Sequence, residues 1–484
     1  MGEPHEKNAL QRAIKAATRI EAHEMQATVL SFVFVFVLMA AYFMLRPVRD
    51  SLSSDWTDVQ LSWLWTSTFF VSAIAVSIYG VVISRLRLQV IVPAVYAFFA
   101  LSFVAFYIAA QTLGENDLVN RAYYVWISVF SLYHLSVFWT FMSGLYNKEQ
   151  AKRLFAIIGM GASAGALAGP AAAALFVKQI GNLNLLLIAT VMIVATIPII
   201  FRLEHLRDSQ LGNADVQNKL SSNNSLSGNP FSGFKTFASN PYLLAIGLFI
   251  LLYVVMNTFI YFELRKMLGE FDRDTRTQIW ASIDLAVNSL AFVTALFVTG
   301  RLATRFGMPT TLALIPLFMV GGWLLVALSP VLVVMVGLQV ARRAGNYAIT
   351  RPGREMLFTA VDADTRFKAK PVIDIVVYRG GDVLTAWFYT ALTTTLGLGL
   401  AGVSVVAAFI AALWALAGTY LGRVYDRRDG DQVDDDSDRC RGPANERSLY
   451  LRSGTNAYRP LWRCVGIRTR GRPGCRAHRR AAGT

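Results

Sequence analysis

Apolar stretches of about twenty residues, separated by short polar segments, run through most of this chain. At 1.5 Å per residue, a helix of that length crosses a hydrocarbon core of roughly 30 Å. Twelve such stretches are read, at about 27–45, 61–83, 88–110, 122–144, 154–177, 183–201, 241–262, 277–299, 307–328, 330–350, 371–393 and 397–421. They do not alternate apolar and polar residues over about ten positions, as the strands of a membrane barrel do. The pattern predicts an all-α membrane protein with about 12 transmembrane helices.

The order of elements repeats. Tyr42-Phe43-Met44-Leu45-Arg46 returns 219 positions later as Tyr261-Phe262-Glu263-Leu264-Arg265, each time closing an apolar run. Gly80-Val81-Val82-Ile83-Ser84-Arg85 is matched 220 positions on by Gly300-Arg301-Leu302-Ala303-Thr304-Arg305. These pairs predict two pseudo-repeated six-helix halves, 27–201 and 241–421. Repeats around a central site are a common plan of membrane transporters. Between the halves, 202–240 is rich in Ser and Asn, as in Ser221-Ser222-Asn223-Asn224-Ser225, and reads as a flexible cytoplasmic linker. In the leading segment, 1–26, Leu10, Ala13, Ile14, Ala17 and Ile20 share one helical face suited to a membrane surface. Its polar character, and the lack of a small-residue cleavage pattern after the first span, argue against a signal peptide.

Composition agrees with the pattern. The chain is 55% hydrophobic and 16% charged, with a mean hydropathy of +0.44, against roughly 25% charged residues in soluble chains. The net charge of +15 is unevenly placed. From Arg423 onward lie fifteen Arg, no Lys and all three Cys (Cys440, Cys464, Cys475), whose spacing suits no zinc site. Segment 422–484 therefore reads as a disordered, Arg-rich tail. Without it the charge falls to about +8, which loop asymmetry explains without a nucleic-acid polymer as partner. The basic loops hold Arg85 and Arg87, then Lys148, Lys152 and Arg153, then Arg301 and Arg305, then the 351–370 stretch. The positive-inside rule puts those loops and both termini in the cytoplasm.

Two enzyme-like patterns fall inside one apolar span. Gly161-Ala162-Ser163-Ala164-Gly165 fits a nucleophile elbow, and Gly159 to Ala164 fits a loose dinucleotide fingerprint. Both motifs need a preceding strand. Gly161, Gly165 and Gly169 recur every four residues, which is a stripe for close helix packing. His134 is the candidate base for an intramembrane hydrolase at Ser163, which stays the minor alternative. No cofactor and no metal site is expected.

Ionisable residues inside spans are the sharper signal. Each costs about 2.5–3.5 kcal/mol on insertion scales, so those present usually face a wet cavity. Asp284 lies in the eighth span, with Asn288 one turn on. The eleventh holds Asp374, Tyr378, Arg379 and Asp382; Arg379 and Asp382 are spaced to pair, and Gly380-Gly381 makes a breakable point. Arg46 and Arg49 close the first span, with Arg265 as the repeat mate of Arg46. Arg342, Arg343, Arg351, Arg354 and Glu355 cluster at the end of the tenth. Guanidinium forks suit phosphate and carboxylate, while snorkelling anchors are the plainer explanation of any single one.

Gly300-Arg301-Leu302-Ala303-Thr304-Arg305-Phe306-Gly307, and less closely Gly80 to Arg85, resemble the G-x-L-A-D-R-x-G loop of the major facilitator superfamily, with Thr304 and Ser84 at the Asp position. Further blocks resemble bacterial proteins of the ATP/ADP translocase (NTP/NDP exchange) family. They are Leu45-Arg46-Pro47-Val48-Arg49-Asp50, Gln150 to Gly159, Thr350-Arg351-Pro352-Gly353-Arg354-Glu355, Lys368 to Asp374, and Tyr378-Arg379-Gly380-Gly381-Asp382. The resemblance spans both halves. It implies a major-facilitator-like fold and exchange of nucleotides across a bacterial inner membrane.

The resulting expectation is a multi-pass secondary transporter, not an enzyme, whose halves rock about a midplane site. Arg46, Arg49, Arg265 and Arg379 are the expected anion contacts. Asp284, Asp374 and Asp382 are expected to balance their charge or carry a coupling proton. Arg85, Arg301, Arg305, Arg351 and Arg354 are expected in gating loops. The expected partners are the lipid bilayer and a small molecule, a nucleotide or another organic anion, with the oligomeric state open. A proton-coupled transporter of another solute and a non-transporting sensor or scaffold remain alternatives.

Overall fold

The computed structural model describes residues 20–211 and 232–440, apart from 22, 86–87, 298, 363–364, 367–368 and 371. It also describes a short antiparallel ribbon, β1 (Ile467–Thr469) with β2 (Arg472–Gly474), in the tail. Most of the leading segment, 212–231 in the linker and most of the tail lie outside the described residues.

The helices are α1 (Met25–Leu52), α2 (Asp58–Arg85), α3 (Leu88–Leu113), α4 (Asp117–Leu145) and α5 (Lys148–Leu206). After the gap come α6 (Ser232–Ser239), α7 (Pro241–Leu268), α8 (Arg273–Phe297), α9 (Thr299–Leu328), α10 (Leu332–Gly345), α11 (Arg351–Leu357), α12 (Tyr378–Thr390) and α13 (Leu400–Cys440). Among the described residues, eight helical segments are long and apolar enough to cross a membrane. One of them, α5, has 59 residues and turns at Gly181, where φ is +77°, a conformation glycine adopts without strain. It therefore supplies two spans.

Three more spans are less apolar. They are α8, then α10 with the wide π turn that ends it (Asn346–Thr350), then α12 flanked by wide turns at Val372–Val377 and Ala391–Thr395. The twelve expected spans are thereby accounted for among the described residues. These three carry Asp284, Arg343, Arg379 and Asp382, which is why their apolar signal is weak. Wide turns of this kind concentrate at functional sites. The break falls just before α12, and the helix runs unbroken through Gly380-Gly381.

Close packing locks α1 to the first part of α5. A Cβ added at Gly161, Gly165 or Gly169 would come within 3 Å of the α1 carbonyls of Phe32, Phe36 and Ala40. The small-residue stripe is thus a packing surface. Ser163 lies on an exposed face, while His134 is buried in α4 and stacked on Tyr42 at 4.2 Å. The serine and histidine are not held as a nucleophile–base pair. Phe70, Leu101, Leu175, Val333 and Phe409 stand exposed on the outside, as lipid-facing side chains do.

Several boundaries differ from the apolar runs. α1 continues past 45 to Leu52, because Arg46, Arg49 and Asp50 face inward, where Arg49 and Asp50 pair and Asp50 also accepts from Tyr261. α13 runs on to Cys440, and α5 to Leu206.

Candidate functional site

Where α1, α2, α4, α7, α8, α10 and α12 meet, a cavity of about 160 Å³ opens. Arg46, Arg49, Arg343 and Arg379 line it, with Asp50 and Asp382. Trp65, Tyr124, Tyr261 and Trp280 make an aromatic wall. Four cations against two carboxylates leave the lining electropositive.

The α1 residues reach the cavity because i, i+3 and i+4 share a helix face. Arg49 donates to Asp50 Oδ1 from Nε at 3.0 Å and from Nη2 at 2.5 Å, and to Ser128 Oγ from Nη1 at 3.3 Å. Its guanidinium lies 5.4 Å from the centre of the Tyr124 ring, within cation–π range. Tyr261 Oη also donates to Asp50 at 3.1 Å, tying α7 to α1. Tyr124 and Tyr261 share a hydrogen bond of 3.2 Å, and Trp65 Nε1 donates to Tyr124 at 2.9 Å.

Arg46 sits between carboxylates, 3.6 Å from Asp50 Oδ2 and 3.8 Å from Asp284 Oδ1. Asp284 is held much more tightly by Arg343 Nη1, at 2.5 Å. Arg46 Nε, Arg343 Nη2, Asp284 Oδ2 and Asp382 Oδ1 are all buried without a hydrogen-bond partner. A buried polar atom left unmatched costs about 1–3 kcal/mol, and more if charged. All four belong to residues at or beside this cavity.

The expected Arg379–Asp382 ion pair does not form: no carboxylate lies within ion-pair distance of Arg379 among the described residues. Both side chains line the cavity instead. Asn288, one turn beyond Asp284, donates to Ala166 O of the α5 stripe at 2.7 Å and packs helices together.

Other expected site residues lie elsewhere. Arg265 is buried away from the cavity and donates to Ser53 O at 3.2 Å, Trp56 O at 2.6 Å and the Asp58 carboxylate. Lys266 joins it, 2.9 Å from Asp58 Oδ2, and donates to Tyr389 Oη at 2.8 Å, which in turn donates to Glu263 Oε1 at 2.5 Å. Arg273 binds Asp55 and Glu115, each at 2.9 Å, and Arg276 also reaches Asp55. This network joins the first six spans to the last six. The repeat mates part company because α1 runs six residues beyond Arg46, whereas α7 ends three after Arg265.

At the opposite end, basic residues pair within their own set of helices. Lys152 binds Glu149 and Arg153 binds Glu24. Arg354 binds Glu355 at 2.9 Å and lies 3.5 Å from Asp374, and Lys370 binds Glu355 at 2.6 Å. Asp374 therefore belongs to this outlying cluster and not to the cavity. Burial opposes the Glu355 charge, but Lys370 and Arg354 hold its carboxyl below the usual range. Arg351 is exposed. Arg85, Arg301 and Arg305 lie on helical backbone, and their side chains fall outside the described residues.

Sequence reasoning missed Arg343 as a cavity residue, along with Asp50, Tyr261 and Trp280. The available signal was the polar interruption Gln339–Arg343 in an apolar run, and Tyr261 as the repeat mate of Tyr42.

Twelve spans enclosing a charged cavity between two sets of six define a membrane transporter. The family profile of the Major Facilitator Superfamily matches residues 25–349, and the chain belongs to that superfamily. It is a multi-pass membrane transporter and not an enzyme. No curated protein sequence matches it. Among solved structures, the nucleoside transporter NupG is similar, with a TM-score of 0.57 at 13% identity, over 83% of this chain and 99% of that one. The xylose transporter XylE from E. coli, in an inward-open conformation, gives 0.55 at 10%, over 81% and 95%. A bacterial homolog of the human lysosomal transporter Spinster, inward-facing and unoccupied, gives 0.54 at 12%, over 84% and 99%. At such identities these likenesses concern the fold.

Proposed function

We propose that the protein moves small organic anions across a bacterial inner membrane by alternating access. The observation that carries this reading is the cavity lining. Four arginines outnumber its carboxylates, and buried guanidinium N–H groups of Arg46 and Arg343 lack acceptors. A carboxylate or phosphate would supply those acceptors, and guanidinium forks bind both bidentately.

In this reading the halves 27–201 and 241–421, joined by 202–240, rock about the cavity. Both termini and the basic loops are cytoplasmic. The Arg265–Asp58 network is the outer closure, and the cavity opens to the cytoplasm, the state in which the Spinster homolog and XylE were solved.

Nucleotide exchange is the finer reading. Its support is the run of blocks resembling the ATP/ADP translocase family, and an aromatic wall at Trp65 and Trp280 on which a base can stack. NupG adds only that this fold also serves a nucleoside transporter.

Purified protein in vesicles preloaded with ADP tests both. Entry of labelled ATP that requires internal ADP would establish exchange and put the arginines on phosphate. Entry of carboxylates or other phosphates, but not ATP, would keep the anion reading and discard nucleotides. Tight anion binding without flux would identify a sensor. Arg379→Ala should abolish flux in a folded protein, and normal flux would remove Arg379 from the site.

A further inference from the structure

A second cavity lies against another face of α1. Its volume is about 300 Å³, against about 160 Å³ for the central one. Arg49 and Asp50 line the central cavity, whereas Val48 and Leu52 line the second. The same division runs through α4, where Tyr124 serves the first and Tyr123 the second. Consecutive helix residues point about 100° apart, so α1 and α4 contribute to both cavities from different faces. Most of the second lining is apolar: Phe106 and Ala110 of α3, and Leu183 and Leu186 of α5, join the α1 pair. Phe106 meets Tyr123 edge-on, with ring centres 5.6 Å apart. Tyr123 is only 5% exposed, and its Oη is buried with no hydrogen-bond partner. A buried hydroxyl left unmatched is costly, and a ligand carrying an acceptor would match it.

The charged and amide groups at the rim are already paired. Arg273, at the start of α8, lies 2.9 Å from both Glu115 and Asp55. Asn182 donates to Asp274 at 2.6 Å and accepts from Thr277 Oγ1 at 2.7 Å. No unbalanced charge is left there to hold an ion. The Glu115 side chain is 81% exposed. A carboxylate so exposed needs water around it and not hydrocarbon, so the mouth of this cavity faces the aqueous side.

We propose that this cavity is a second ligand site, for a small, neutral, mostly apolar molecule with a carbonyl oxygen that accepts from Tyr123 Oη. An apolar enclosure with a few convergent polar groups is the usual form of a small-molecule site. Occupancy also bears on opening. Arg273, Asp274 and Thr277 belong to the last six spans, and Glu115 and Asn182 to the first six. Their bonds bridge the two sets at the rim. Parting the sets here takes Arg273 out of the lining and uncovers the ligand. The ligand therefore binds the closed state better and shifts the population toward it. This last step rests on the alternating-access reading; the site itself does not.

The test uses full-length protein in vesicles, with benzophenone as the probe. It is neutral, has two apolar rings and one carbonyl, and bonds to nearby C–H groups when irradiated. Saturable labelling should fall on the peptides carrying Val48, Phe106 and Tyr123, located by mass spectrometry. Tyr123→Phe removes only the unmatched hydroxyl and should raise the half-saturating concentration about fivefold. Ala110→Trp fills the cavity and should abolish the labelling. Benzophenone should also slow the reaction of a cysteine placed at Asn257, in the central cavity, with an impermeant maleimide added outside. Labelling that never saturates, or that Ala110→Trp leaves intact, would mean partition into the bilayer and overturn the site. If Ala110→Trp does not fold, Tyr123→Phe decides, and unchanged saturation overturns the site. Labelling seen only after bound lipid is stripped would make a membrane lipid the occupant and overturn the small solute. Saturable labelling with unchanged maleimide reactivity would overturn the effect on opening. Labelling does not depend on flux, so failure of the anion reading would leave it unchanged.

Discussion

Arg265, in the last turn of α7, donates to the carboxylate of Asp58, in the first turn of α2, and both are buried. Lys266, Thr393 and the main-chain oxygens of Ser53 and Trp56 complete the site. The pair joins the first six spans to the last six, so it must separate whenever this end of the cavity opens. Removing one partner of a buried pair costs about 3–5 kcal/mol, because the other is left uncompensated. That cost falls on the closed state, where the pair is made. Arg265→Ala should therefore shift the protein toward opening at this end. A cysteine at Asn257, which lines the cavity, should then react faster with an impermeant maleimide added outside, in a background with the three tail cysteines changed to serine. Unchanged reactivity would mean that the pair does not hold the closure.

The α1–α5 seam gives a sharper stability prediction. Gly165 leaves no room for a Cβ against Phe36 O and Met39, and backbone atoms cannot step aside as a flexible side chain can. Overpacking of this kind costs about 1–3 kcal/mol. Gly165→Ala should lower the melting temperature of the purified protein in detergent. Ser163→Ala, on the exposed face of the same helix, should leave it unchanged. Equal losses would indicate general sensitivity of the helix and not close approach.

These two sites also show what the residue pattern reveals. The spans were readable because lipid allows a chain to cross only where its backbone is satisfied internally and its side chains are apolar. The glycine stripe was readable from its spacing alone. Arg46, Arg49, Arg379 and Asp382 stood out because a charge in an apolar run needs a reason. The role of Arg265 was not readable. It depends on α7 stopping three residues later, while α1 continues through Arg46-Pro47-Val48-Arg49 because that face is buried by tertiary packing. Trp65, Tyr261 and Trp280 were missed for a related cause: an aromatic facing a cavity and one facing lipid look the same until helix rotation is known.

The outlying ion cluster makes a pH prediction. Glu355 has a depressed carboxyl pKa, since Lys370 and Arg354 outweigh the burial that opposes its charge. Above the ordinary glutamate value of 4.5 it is ionised folded and unfolded, so its contribution is constant there. As pH falls below that value, the unfolded chain takes up a proton first, and the contribution is lost as pH passes through the folded pKa. Glu355→Gln should melt at a lower temperature than wild type near pH 7, and the two curves should converge in acid. A constant difference down to strongly acidic pH would assign the effect to packing and not to charge.

Asp284 and Arg343 form an ion pair at the cavity as short as that of Arg49 with Asp50, and only a double-mutant cycle can say what it is for. Their side chains are 2% and 5% exposed, so either residue alone would be a stranded charge. Asp284→Ala leaves Arg343 without its carboxylate partner and beside Arg46, which keeps only Asp50 at 3.6 Å, and should destabilise the protein by about 3–5 kcal/mol. Arg343→Ala leaves Asp284 with the more distant Arg46, so its loss should be smaller. Removing both should recover much of the stability, since paired deletion strands nothing. Flux should behave differently. If Arg343 serves the anion with the N–H that Asp284 does not use, the double mutant should fold and still fail to transport. Recovery of both stability and flux would make the pair a structural brace, and would move anion recognition to Arg46, Arg49 and Arg379.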